Sequence, residues 1–282
     1  MRGSQPLIGV FDSGVGGLTV VAALRRRLPG AAILYLGDTA RLPYGTKSRR
    51  TVLRYSQTNV DFLERRQVDA LVVACNTASA MALDDLVVRV PHWGVLEPGA
   101  SAAVAAASRH IGVIATESTV RSGAYEEAIR RLDPRLRVSQ QACPLLVPLV
   151  EEGWEEDEIT GHIVARYLEP LLAEGIDTLL LGCTHYPMLR GVLERVCGPE
   201  VTLVDSAEST GAQVEQALCG RGWTDGAGPE SASVRLFATD AGPRFARLAE
   251  RILGEPATLE WIDVDEAGTG GTLRIGEEVG TS

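Results

Sequence analysis

Lysine is almost absent from this chain: Lys47 is the only one. Chemistry that needs a Schiff-base lysine, as with pyridoxal phosphate, therefore has a single candidate, in the turn-rich residues 44–48. The five cysteines, Cys75, Cys143, Cys183, Cys197 and Cys219, contain no C-x-x-C pair. Zinc-ribbon and thioredoxin-type sites lose their support, and an odd, scattered set reads as free thiols in a reducing compartment. Basic excess is lacking too. A net charge of −10 argues against general nucleic-acid binding. Residues 7–11 are far too short for a signal-peptide core or a membrane span, so the sequence predicts a cytoplasmic protein with neither membrane nor nucleic acid as partner. Nucleotide fingerprints fail as well. After Gly14 and Gly16 the third glycine position holds Thr19, and no G-x-x-x-x-G-K-[ST] occurs.

What is present is a repeated strand end. Residues 176–185 (IDTLLLGCTH) give an apolar run that stops at Gly182 and Cys183, with Thr184 and His185 behind it. Residues 68–77 (VDALVVACNT) repeat the pattern and end at Cys75, Asn76 and Thr77. Each reads as a buried strand closed by a thiol and polar cap-formers. Two such thiols predict a site with one on each side. Alone, either would read as a small buried hydrophobe.

The rest of the chain reads as scaffold, and 282 residues with 45% hydrophobic content can bury one large or two small cores. Residues 7–11 form a strand ending at Asp12 and Ser13, followed by Gly14-Val15-Gly16-Gly17 and a helix over 18–28. Strand, glycine turn and helix is an anion-binding layout, since free N–H groups and a helix N-terminus face one spot. A second strand, 32–36, ends near Asp38, and Pro43 and Gly45 hold Tyr44 in a loop. A helix spans 51–66. Asn76 and Thr77 are expected to cap a helix over 78–88, placing Cys75 at a positive helix end that lowers its pKa. Residues 95–98 read as a strand, then a helix runs over 101–108.

The pattern then restarts. Residues 110–114 (HIGVI) mirror 7–11 (LIGVF), and 137–142 mirror the second strand. A helix over 159–173 leads into the Cys183 strand, followed by a strand at 201–204 and a helix at 207–218. The fold class is therefore α/β: two similar three-layer domains with parallel sheets, related by pseudo-twofold symmetry, with the site in the cleft between them. Residues 1–98 plus 207–265 form the Cys75 domain and 99–206 the Cys183 domain. Within the first, 234–238, 245–253 and 259–264 give strand, helix and strand. Residues 223–233 read as a surface loop and 266–282 as a weakly ordered tail. Cys197 and Cys219 read as structural, and His92, His110 and His162 carry no role.

The motifs together resemble the cofactor-independent glutamate racemases, within the aspartate/glutamate racemase superfamily. Residues 11–19 (FDSGVGGLT), 37–48 (GDTARLPYGTKS), 75–79 (CNTAS) and 182–187 (GCTHYP) look like four signatures of that family in order, and 142–153 (ACPLLVPLVEEG) resembles a fifth. The likeness extends from about residue 7 to 264. It departs at Ala115 and Glu117, where the family usually has glycine and a small residue.

The resemblance implies that Cys75 removes the α-proton of D-glutamate while the Cys183 thiol reprotonates the opposite face, with the roles exchanged in reverse. Inverting a carbon by proton transfer requires an acid and a base on opposite faces. It further implies that Asp12 and Asp38 lie near Cys75, and Glu151, in preference to Glu152, and His185 near Cys183. Asp12, Ser13, Pro43, Tyr44, Gly45, Asn76, Thr77, Thr116, Thr119, Thr184 and His185 would contact the substrate, L- or D-glutamate. Neither a metal nor an organic cofactor is implied, and D-glutamate would feed bacterial cell-wall synthesis. Bilobed enzymes of this kind commonly form homodimers, though no interface is legible in the sequence. Three rivals remain: an aspartate racemase, a non-catalytic amino-acid-binding protein on the same scaffold, and a cysteine hydrolase, which would not use a second thiol.

Overall fold

A computed structural model describes residues 6–223, 233–240, 242–255, 258–262 and 273–274. Eleven strands are present among them: β1 Leu7–Asp12, β2 Ala32–Gly37, β3 Ala70–Val73, β4 His92–Gly94, β5 His110–Ala115, β6 Arg137–Ala142, β7 Thr178–Gly182, β8 Thr202–Asp205, β9 Val234–Ala238, β10 Leu259–Trp261 and β11 Leu273–Arg274. The helices are α1 Leu18–Arg27, α2 Arg49–Arg65, α3 Asn76–Met81, α4 Leu96–Ala106, α5 Glu117–Ser122, α6 Ala124–Leu132, α7 Leu146–Glu152, α8 Glu158–Ala173, α9 Arg190–Cys197, α10 Ser206–Cys219 and α11 Pro243–Leu253.

The strands form two sheets, ordered β11-β10-β9-β2-β1-β3-β4 and β6-β5-β7-β8. Four consecutive strands at one end of the first, β2-β1-β3-β4, and the whole of the second share one winding order. That common order is the structural form of the sequence echo. All pairings are parallel except β10 with β11, a departure from purely parallel sheets. Strands buried on both faces should read as continuous apolar runs, and Leu179, Leu180 and Leu181 are fully buried. Each such leucine contributes about 1.5–3 kcal/mol by leaving water.

Each sheet is the middle of three layers. In the first lobe one face packs Leu18, Val21 and Leu24 of α1 with Val214 of α10 and Leu248 of α11. The other face packs Val52, Val60 and Leu63 of α2 with Ala78 of α3. In the second lobe α7, α8 and α9 cover one face and α4 and α6 the other. Side-chain caps start several helices where the sequence offers an acceptor: Ser48 for α2, Asp157 for α8 and Asp205 for α10.

Two expectations about elements fail. Residues 95–98 are not a strand: β4 ends at Gly94, and α4 begins at Leu96 with Pro98 in its first turn, where a missing N–H costs nothing. α4 thus runs through the boundary expected at residue 98, and its Leu96 and Ala100 belong to the second lobe's core. The helix after Cys75 is also short. It covers only Asn76–Met81, and a 3-10 turn at Leu83–Asp85 follows. Cys219 is exposed, not packed in a core. The loop expected at 223–233 lies outside the described residues but for its two ends, as does the tail at 266–282 but for β11.

Candidate active site

Parallel sheets gather their ligands at the carboxyl ends of the strands. Here the ends of β1, β2 and β3 deliver Asp12, Asp38 and Cys75, while those of β5 and β7 deliver Thr116 and Cys183. The two edges close on one small cavity. Its walls include Ser13, Pro43, Tyr44, Gly45, Cys75, Asn76, Thr77, Thr116, Glu151, Cys183, Thr184 and His185, together with Gly14, Leu42 and Val147. Both thiols therefore border the same space, one from each lobe. Among the described residues no helix is long and apolar enough to cross a membrane, and no group of three or more His, Cys, Asp or Glu could hold a metal ion.

Cys75 is itself the cap of α3, accepting from the Ala78 N–H at 3.5 Å, while its thiol donates to Ser13 Oγ at 3.6 Å. Asn76 and Thr77 are the helix's first residues and not its caps. The pKa moves opposite to the expected direction. Burial first, and the Asp12 carboxylate second, push the thiol up from 9.0 to about 12, outweighing the Ala78 N–H and the Ser13 hydroxyl. A single turn of helix end does not overcome desolvation plus a neighbouring anion.

Asp12 explains the glycine turn. Its buried carboxylate accepts from the N–H groups of Gly14 at 3.0 Å and Gly17 at 3.1 Å, so two of the turn's donors already hold an anion belonging to the chain. Its other oxygen meets the Thr184 hydroxyl at 3.5 Å, across the lobes. Asp38 is likewise fully buried and outside the cavity wall. It accepts from Arg41 Nε at 2.8 Å and Thr239 Oγ1 at 3.2 Å, and pairs closely with the Tyr44 hydroxyl. Asn59 donates to that hydroxyl at 3.1 Å. Asp38 thus orients the Tyr44 loop.

On the other side His185 faces Cys183, and its Nε2 lies 3.3 Å from Glu151 Oε1. That contact is close but off-axis, since Nε2 is buried without an aligned hydrogen bond. Burial would push this imidazole down. Its contacts with Cys183 and Glu151, and the negative field of Cys183 and Asp12, win and raise it from 6.5 to about 10. Glu152 points away to Arg244 at 2.6 Å. The lobes approach closely here: a Cβ on Gly16 would stand 2.5 Å from both His185 Nδ1 and Thr184 Oγ1. Only glycine fits there.

Three hydroxyls tie the lobes on the opposite wall. Thr77 lies 3.0 Å from Thr116 and 3.1 Å from Thr119, and the latter two are 3.0 Å apart. Thr116 borders the cavity, whereas Thr119 is buried behind it. Glu117 is exposed and reaches no part of the site. Cys143 is buried beside Cys183, with its pKa pushed up by burial and by Cys183. Sequence reasoning missed Tyr125 and Ser206, which hold the Asn76 amide at 2.7 and 3.3 Å. Neither stands in a motif, so no local signal marks them. Val147 and Leu42 sit inside quoted motifs and could have been found. Asn76 lines the cavity, and its Oδ1 is buried with no hydrogen-bond partner.

Two facing thiols in a closed polar cleft between duplicated α/β lobes are the equipment of a racemase that moves a proton at carbon. A sequence model of Asp/Glu/hydantoin racemases matches residues 18–214, and the chain belongs to that family. The likeness narrows further within it. The glutamate racemase of Geobacter metallireducens is 50% identical over 251 residues, 88% of this chain and 92% of that protein. A glutamate racemase isoform of Bacillus anthracis superposes with a TM-score of 0.87 at 40% identity, covering 92% of this chain and 97% of its own. The Francisella tularensis glutamate racemase in complex with D-glutamate gives the same TM-score at 33% identity, over 94% and 99%.

Proposed function

We propose that this racemase interconverts L- and D-glutamate by proton transfer between two thiols, without a cofactor. The observation that carries the reading is that Cys75 and Cys183, ending equivalent strands of opposite lobes, border the same cavity. From D-glutamate, the Cys75 thiolate takes the α-proton and becomes a thiol. The electron pair left on Cα delocalises into the α-carboxylate, and the Cys183 thiol then protonates the opposite face, becoming a thiolate. The same steps in reverse order, with Cys183 as the base and Cys75 as the acid, convert L-glutamate to D-glutamate. A high Cys75 pKa makes its thiolate scarce at neutral pH, but a stronger base for a weakly acidic carbon once formed.

The walls suit an amino acid with two carboxylates. Asn76 Oδ1 would accept from the substrate ammonium. Ser13, Thr77, Thr116, Thr184 and the backbone around Gly45 would donate to its carboxylates, placing charge stabilisation where the carbanion develops. Pro43 and Tyr44 would shape the wall. The cavity is small, so we infer that the two lobes part to admit substrate. Identical lobe angles with and without D-glutamate would overturn that. Working in the cytoplasm, the enzyme would supply D-glutamate for the bacterial cell wall.

The test is proton NMR in D₂O of D-glutamate, L-glutamate and aspartate with wild type, Cys75→Ser and Cys183→Ser. Deuterium should enter Cα with inversion for glutamate in wild type, and either substitution should cut racemisation by about 10²–10⁴-fold. Exchange of aspartate alone would sink the glutamate assignment. Full activity in either variant would sink the two-thiol mechanism.

A further inference from the structure

We propose that Arg251, seconded by Arg244, is a positioning residue for catalysis: from α11 in the first lobe it grips the end of α7 in the second, and so sets Glu151 against His185. The inference rests on the two-thiol reading only for its kinetic consequence.

α11 belongs to the first lobe, where Phe245, Leu248 and Ala249 are buried against α1. Its outward arginines nevertheless bind the other lobe. Arg251 donates to the Val150 carbonyl at 3.5 Å and pairs closely with Glu155, whose side chain is only 12% exposed. Arg244 pairs with Glu152 at 2.6 Å. These partners bracket Glu151 on both sides, at the last turn of α7. Gly153 in the left-handed conformation ends that helix, and a Cβ on it would meet the Arg251 guanidinium at 3.5 Å. A cation at the carbonyl end of a helix is favourably placed and fixes where the turn sits, here sharing the Val150 carbonyl with the Gly153 N–H.

That placement matters because the Glu151–His185 contact is marginal. The atoms are 3.3 Å apart without an aligned hydrogen bond, so a shift of a few tenths of an ångström in α7 makes or loses it. The α7 core residues Leu146, Leu149 and Val150 anchor one face of the helix. Among the described residues, the first lobe's polar grip on the last turn of α7 comes from α11.

Arg251→Ala should lower kcat roughly tenfold with KM little changed, since misplacement by about 1 Å can cost up to 10²-fold. Arg251→Lys should recover only part: Nη2 meets both the Val150 carbonyl and Glu155 while Nη1 lies towards Gly153, and a compact ammonium does not reproduce that planar arrangement. Arg195→Ala, which removes an exposed pair with Glu156, should change nothing. Enantiomers have an equilibrium constant of one, so kcat/KM must fall equally in both directions. The side-specific readout is the isotope effect with Cα-deuterated substrate. In Arg251→Ala it should grow for L-glutamate, whose proton goes to Cys183, and shrink for D-glutamate. A loss with both effects moved alike would mean general misdocking of the lobes and would overturn the proposal, as would no loss.

A readout that needs no turnover keeps the two readings separate. The chain has four histidines, and His185→Gln assigns the imidazole resonance of interest. Arg251→Ala and Glu155→Gln should each move the His185 ring signals and leave those of His162 in place. Unmoved His185 signals would overturn the clamp. Moved signals in a protein inert towards glutamate would leave the clamp standing and sink the function.

Discussion

In the first lobe Cys75 follows β3 and faces a hydroxyl, with the buried carboxylate of Asp12 behind it. In the second lobe Cys183 follows β7 and faces His185, itself against Glu151. The backbones are alike, down to the order β2-β1-β3-β4 against β6-β5-β7-β8. The surroundings differ: burial and the Asp12 carboxylate raise the pKa of Cys75, whereas Cys183 is faced by an imidazole whose own pKa is raised. Duplication provides two thiol positions at equivalent strand ends. What each does first is set by side chains that were not duplicated.

Removing the imidazole is the largest single disturbance to that difference. His185→Gln should lower kcat about 10²-fold, because a neutral amide cannot carry the charge that faces Cys183. Ser13→Ala on the opposite side should cost no more than about tenfold, since it removes one long neutral contact. Steady-state racemisation of both variants checks the contrast. Equal losses would mean the two sides share one electrostatic design.

The carboxylate behind Cys75 is next. In a Cys183→Ser background, alkylation of Cys75 should follow its thiolate. Asp12→Asn should move the midpoint down by about one pH unit, as loss of a nearby like charge does. An unmoved midpoint would leave burial as the sole cause. Gly16→Ala should act on both sides at once, since its Cβ would crowd His185 and Thr184. It should raise KM and lower kcat together. Gly161→Ala, in α8 with nothing nearer than Val192 at 3.9 Å, should instead stabilise the fold by about 0.4–1 kcal/mol. Chemical denaturation separates the two glycines.

The sheets and both thiols were legible because buried parallel strands write themselves as apolar runs, and a run repeated at 68–77 and 176–185 carries its own register. Residues 95–98 misled because Val95 and Leu96 are apolar for two different cores, one on each side of the lobe crossing. The direction of the Cys75 shift was not legible either. A helix start is a local feature, whereas the burial and the Asp12 field that overrule it come from tertiary packing. Tyr125 and Ser206 were invisible for the same reason: they reach Asn76 from positions 49 and 130 residues away.

The smallest effect is also the one that isolates His185. Its folded pKa is raised from 6.5 to about 10, so proton binding favours the folded state. That contribution is fully present below about pH 6.5 and is lost as pH rises through about 10. Wild type should therefore lose stability relative to His185→Gln across that window, seen as a change in the difference between their Tm values. Ionisation of Cys75, common to both proteins, cancels in the difference. A constant difference would mean that His185 stays neutral beside Cys183. The two halves would then differ only by Asp12, and the contrast between a thiol raised by an anion and a thiol faced by a cation would reduce to its first member.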